Sequence, residues 1–60
     1  PDDAREQRIL EVLRDTGEML TVDKIVEITI LPPQIVNERL TFLLIEGYVE
    51  EVNGLFRARA

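Results

Sequence analysis

Three stretches of this chain place their apolar residues at helical spacing, and two shorter ones alternate as strands do. In the first stretch Ile9, Leu10 and Leu13 share a face, with Val12 on the flank. Arg5, Glu6, Arg8, Glu11 and Arg14 read as the opposite, solvated face. The spacing predicts a helix over about 3–15, capped by Asp2 or Asp3 and stopped by Gly17, with Asp3 and Glu6 at capping-box spacing. Val22, Ile25 and Val26 predict a second helix over about 22–29, with Thr21 as its cap and Ile28 off the stripe. Pro32 and Pro33 break the chain and restart it, because proline is tolerated only in the first turn of a helix. Val36, Leu40 and Leu43 then form the core stripe of a third helix over about 33–46, closed by Gly47. Asn53-Gly54 lies between two alternating runs, about 48–52 and 55–59, and is the strongest short hairpin signal. A two-residue turn pairs Val52 with Leu55, Glu51 with Phe56, Glu50 with Arg57 and Val49 with Ala58. Met19-Leu20 is apolar enough to add a very short strand beside that hairpin. The fold class is α+β, in one domain covering 1–60.

The third helix carries more apolar residues than its core stripe uses. At about 100° per residue, Ile35, Glu38, Phe42 and Ile45 form a second ridge beside Val36, Leu40 and Leu43. Ile28, Ile30 and Leu31 extend it from the preceding turn. The hairpin, the first helix and Met19-Leu20 are expected to cover Leu44, Leu31 and part of Ile35. The rest predicts a contiguous exposed patch, and monomers seldom leave such patches without use. The expected interface residues are Ile28, Ile30, Ile35, Glu38, Phe42 and Ile45, with Arg39 and Glu46 on the polar rim.

Composition narrows the chemistry. The chain has 60 residues with no His, Cys or Trp, and no Ser either. The commonest nucleophiles, proton shuttles and zinc ligands are therefore missing, and no catalytic residue, metal or cofactor is expected. Twelve acidic residues against seven basic ones give a net charge of −5. That balance opposes tight non-specific binding to nucleic acid, although a local basic patch outweighs a total. Six of the seven cations are arginine, with Lys24 the exception, a bias that suits a halophile. No apolar run reaches the roughly 20 residues of a membrane span and no signal peptide is evident, so a cytoplasmic location without a membrane partner is expected.

The order helix, short strand, helix, turn, helix, hairpin resembles a winged helix-turn-helix. Ile35-Val36-Asn37-Glu38-Arg39-Leu40, running through Leu43 to Glu46-Gly47-Tyr48-Val49-Glu50, is similar to that family's third helix and first wing strand. Arg8-Ile9-Leu10-Glu11-Val12-Leu13 is similar to its first helix, and Asn53-Gly54-Leu55-Phe56-Arg57 to its wing. Within the family the chain looks most like small archaeal transcription regulators, including halophile phage-repressor types. The resemblance implies double-stranded DNA binding, with the third helix in the major groove. Carried onto this chain, the groove-facing residues are Pro32, Pro33, Gln34, Asn37, Glu38 and Thr41, and the wing contacts are Arg57 and Arg59.

The chain departs from the family where DNA contact is strongest. Pro32-Pro33-Gln34 replaces basic and hydroxyl residues, and Glu38 stands where an arginine is common. Ile30 stands where the family often has a glycine at positive φ. Two readings follow. The first is a protein–protein interaction module, a homodimer or one that takes another protein, on a winged-helix scaffold that was engineered by rewriting the DNA-facing helix. The second is a DNA-binding transcription regulator acting through Gln34, Asn37, Thr41, Arg57 and Arg59. No small-molecule site is evident.

Overall fold

Each element of this α+β chain starts and stops at a residue chosen by backbone chemistry. The structure, a computed structural model, describes residues 1–59. Helix α1 (Ala4–Thr16) begins at Asp3, whose Oδ1 accepts from the N–H of Arg5 at 2.8 Å and of Glu6 at 3.2 Å. Those are two of the donors that a helix start leaves without intrahelical partners. Gly17 ends α1 at φ 63°, donating its N–H to the Leu13 carbonyl at 3.2 Å. Helix α2 (Val22–Thr29) is capped by Thr21, whose hydroxyl accepts from the Lys24 N–H at 3.1 Å.

Helix α3 (Pro33–Ile45) has no side-chain cap. The Pro32 carbonyl accepts instead from the N–H groups of Ile35 and Val36, each at 3.0 Å. Pro33 sits at the first helical position, where no donor is lost. At the other end Gly47 takes φ 82°. The Tyr48 N–H donates to the Leu43 carbonyl at 3.0 Å and the Gly47 N–H to that of Leu44 at 3.2 Å. This paired 6→1 and 5→2 bonding is the Schellman stop.

Strands β1 (Val49–Val52) and β2 (Leu55–Ala58) pair antiparallel, Val52 opposite Leu55 and Glu50 opposite Arg57. Asn53 at φ 51° and Gly54 at φ 79° supply the two positive angles of the turn. The segment expected to add a strand contributes a single bridge, in which Leu20 and Phe56 exchange hydrogen bonds of 2.8 and 2.7 Å. That bridge ties the α1–α2 connection to the wing. Ile9, Leu13, Ile25, Val36, Leu43 and Val49 are fully buried where the three helices meet the hairpin. No helix among the described residues is long and apolar enough to cross a membrane.

Ile28 is less exposed than the sequence reading expects. Ile28 belongs to the margin of the core: it is partly buried and packed against the central cluster. The α2 helix is only eight residues long and is packed by both α1 and α3, so its flank is covered as well as its stripe. Ile30 accepts the strain that the turn imposes. It takes φ 63° and ψ 15°, the left-handed region that is costly for a β-branched residue. Its side chain is 81% exposed, so its own packing does not offset that cost. The backbone does so instead. The Ile30 N–H donates to the Val26 carbonyl at 2.8 Å, while the buried Thr29 hydroxyl donates to the Ile25 carbonyl at 2.7 Å and accepts from the Leu31 N–H at 3.3 Å.

Ile30→Gly should therefore stabilise the isolated domain. Relief of left-handed strain of about 1–2 kcal/mol outweighs the extra chain entropy of glycine, about 0.5–1 kcal/mol. In a domain of this size a gain of about 1 kcal/mol raises the melting temperature by about 4–8 °C, and thermal unfolding of dilute protein measures it. An unchanged or lower melting temperature would show that the isoleucine side chain contributes more than its exposure suggests.

Candidate functional site

The outer face of α3 is built by subtraction. Val36, Leu40 and Leu43 point into the core, which leaves Gln34, Asn37, Glu38, Thr41, Phe42 and Ile45 exposed and Ile35 half-buried. Ile35, Glu38, Phe42 and Ile45 follow at intervals of three and four, so they form one ridge about 15 Å long at 1.5 Å rise per residue. Phe42 is 44% exposed and Ile45 75%. Ile30 projects from the turn just before α3. The exposed apolar residues of this region are Ile30 on the turn and Phe42 and Ile45 on the ridge, with Ile35 half-covered and Ile28 withdrawn to the core margin. Val52, on the wing strand and 51% exposed, is a further exposed apolar residue.

Charge on this face is set by Arg39, the only cation of α3. Its side chain is 16% exposed and bends away from the outer face toward the start of α1. Nη1 donates to Glu6 Oε2 at 3.0 Å and to Asp3 Oδ2 at 3.4 Å, and Nη2 donates to Glu38 Oε1 at 2.6 Å. The guanidinium carbon also lies 4.7 Å from the centroid of the Phe42 ring. One arginine thus binds three carboxylates and braces the aromatic residue of the ridge by a cation–π contact. Its Nε is buried and has no hydrogen-bond partner among the described residues. Glu38 and Arg39 neutralise each other, so the stretch from Pro32 to Ile45 has no net charge in a chain of −5.

This network corrects the reading of Glu6 as part of a solvated face. Glu6 is 6% exposed. It lies four residues before Leu10 and seven before Leu13, so its place on the buried stripe was visible in the spacing. Its carboxylate turns to Arg39 rather than closing the capping box, and Asp3 performs the cap alone. Asp3 also receives the Arg5 guanidinium, Nη2 to Oδ2 at 3.0 Å. Hydrogen bonding from Arg5 and from two backbone N–H groups holds the Asp3 carboxyl well below the ordinary carboxylate range and raises Arg5 in turn.

The residues proposed for DNA contact lie on two separate elements, α3 and the wing. Gln34 and Asn37 are exposed on α3, but the Thr41 hydroxyl donates back to the Asn37 carbonyl at 3.0 Å. On the wing Arg57 Nε pairs with Glu50, and Arg59 Nε lies 4.0 Å from the same carboxylate. The α3 face thus offers no uncommitted cation to a phosphate backbone. No group of three potential metal ligands occurs among the described residues.

Three helices, a wing closed by Asn53-Gly54, and a turn that runs directly into α3 define a winged helix-turn-helix. The family model described as the DprA winged helix domain matches residues 1–54. The chain belongs to that family. The match takes in all three helices and the first wing strand, and so includes the exposed ridge of α3. Comparison with curated proteins and with solved structures found no match.

Two outcomes test the Arg39 network. Arg39→Ala should cost about 3 kcal/mol in denaturant unfolding, because it leaves Glu6 buried without a partner, whereas Arg39→Met with Glu6→Leu should recover most of that loss. The second concerns pH. A carboxyl whose folded pKa is depressed contributes stability above its ordinary value, about 3.9, and loses it as pH falls toward the folded value. Asp3→Asn should therefore be less stable than the parent at neutral pH. The gap should narrow steadily below about pH 4, as unfolding curves at successive pH values would record. A gap that stays constant into strong acid would mean that Asp3 acts only as a neutral cap.

Proposed function

We propose that this domain is a protein–protein interaction module on a winged-helix scaffold, self-associating through the ridge of Ile30, Ile35, Phe42 and Ile45 with Glu38 on its rim. The observation that carries the reading is the outer face of α3: its apolar residues are exposed while its single cation is bound by Asp3, Glu6 and Glu38. Ile30 supports it from a second direction. A strained, exposed isoleucine gains nothing for the isolated fold, and strain of this kind is a pointer to function at the surface.

A second copy is the simplest partner, because a twofold interface needs only one self-complementary patch. Two chains of charge −5 repel, and α3, with one acid and one base, adds little to that repulsion. A standard interface takes about 800 Å² from each partner, roughly a fifth of the 3892 Å² surface, so the α3 ridge must be joined by its flanking turn. Phe42, held from one side by Arg39, is the natural central anchor. The module works without catalysis, cofactor or small molecule, in the cytoplasm. An engineered origin fits the Pro32-Pro33 start and Ile30, and a natural sequence sharing residues 28–45 would remove it.

Molar mass by light scattering, over a hundredfold range of concentration and in low and high salt, tests the reading. The expected result is a dimer that persists in high salt, with Phe42→Asp monomeric throughout and still folded. A parent protein that stays monomeric at every concentration overturns self-association. If that monomer bound duplex DNA with an affinity falling steeply with salt, Gln34, Asn37, Arg57 and Arg59 would become the working residues of a DNA-binding regulator.

A further inference from the structure

A second feature lies away from α3, where the last turn of α1 meets the outer edge of β2. Leu13, Arg14, Gly17, Arg57, Ala58 and Arg59 line a groove of about 390 Å³ there. Three of the chain's seven cations border this one groove. Arg57 and Arg59 share Glu50, each turning its Nε toward it and leaving its Nη groups outside those pairs. Arg14 is in no ion pair among the described residues. Three guanidinium groups against one carboxylate leave a local excess of two positive charges, in a chain that is otherwise acidic.

The backbone adds a donor. The Arg59 N–H donates to the Tyr48 carbonyl across the hairpin, whereas Phe56 exchanges its bonds with Leu20 on the opposite edge. Strand residues alternate, so Ala58 turns its N–H toward the same edge as Phe56. The Leu20 bridge does not reach that far, because the chain from Gly17 to Met19 bends away to join α1. The Ala58 N–H therefore has no backbone partner among the described residues, and Ala58 lines the groove. A Cβ placed on Gly17 would meet nothing within 4 Å, so the groove is open on that side.

We infer that this groove binds free phosphate or a phosphate monoester, with Arg14, Arg57 and Arg59 supplying charge and the Ala58 N–H a fixed neutral donor. Arginine forks match phosphate oxygens in geometry, and their charge strengthens each bond. A phosphate monoester carries nearly two negative charges near neutral pH, which balances the excess of two, and a carboxylate balances half of it. The inference does not depend on self-association, since none of these residues lies on α3.

The test is a titration of the whole chain, followed by its amide resonances and by the arginine Cζ carbons. The probes are inorganic phosphate, phenyl phosphate and dimethyl phosphate, each against sodium chloride at matched ionic strength. The expected result is saturable shifts at Ala58, Arg14, Arg57 and Arg59, with the exposed Arg8 unmoved. Arg14→Gln should weaken binding about three- to tenfold, as expected for one charge-assisted contact, and Arg8→Gln should leave it unchanged. Preference for the two monoester-type probes assigns the site to free phosphate or a phosphate monoester. Equal or tighter binding of dimethyl phosphate would reduce the site to the diester-backbone contact that the winged-helix resemblance already implies for Arg57 and Arg59, and overturns the inference. The inference is overturned if no probe shifts these resonances beyond chloride, if Arg8 moves as much as the groove arginines, or if Arg14→Gln binds as tightly as the parent with its amide spectrum otherwise intact.

Discussion

Arg39 is the constraint from which the surface properties of this domain follow. It leaves α3 beside the core stripe and reaches Glu6 and Asp3 at the start of α1, with Glu38 closing the other side of the guanidinium. The contact fastens the middle of α3 to the first turn of α1, two elements more than thirty residues apart in sequence. A carboxylate as buried as Glu6 is tolerated only with a partner, so the fold requires the arginine to stay where it is. The same requirement removes the cation from service. A helix whose only positive charge is bound internally has little to offer a polyanion, whatever its place in the fold.

The apolar ridge is the other half of that statement. In sixty residues one face of α3 is enough to complete the core; Ile35 and Leu44 are partly covered beside it, and Phe42 and Ile45 are left to face water or a partner. Arg39 shapes this surplus too, because its guanidinium lies over the Phe42 ring and limits how that side chain can turn. A held aromatic loses less freedom on association than a mobile one. The buried ion network and the exposed ridge are thus one arrangement seen from two sides of the same helix.

The architecture was legible in the sequence because each boundary depends on local chemistry. Asp3, Gly17, Thr21, Pro33, Gly47 and Asn53-Gly54 mark ends that follow from backbone geometry alone, and the hairpin register follows from the turn length. The α+β winged-helix arrangement follows from those ends and from the helical stripes between them. The ion network was less legible, since Arg39 and Glu6 meet only after folding. Its trace was still present, because Glu6 occupies the stripe of Leu10 and Leu13, a position where a carboxylate demands a partner. The partial burial of Ile28 was not legible for a different reason: angular position on a helix says which residues share a face, but not how far neighbouring helices wrap around it. The groove at Arg14, Arg57 and Arg59 joins the end of one helix to the edge of a distant strand, and no sequence spacing connects them.

Charge on this domain is therefore distributed, and the total of −5 misleads about any one face. The α3 face is neutral because its charges cancel within 2.6 Å of each other. The α1–β2 groove is positive because Glu50 answers two arginines at once and Arg14 stands beside them. The acids that make the total negative lie mainly elsewhere, on the outer faces of α1 and α2 and on β1. Such separation has a consequence for association. Long-range repulsion between copies is screened over about 10 Å at ordinary ionic strength, so the local character of the touching faces decides the outcome once two molecules meet. A neutral apolar ridge and a cationic groove on different elements give one small domain two chemically distinct surfaces, and occupation of one leaves the other open.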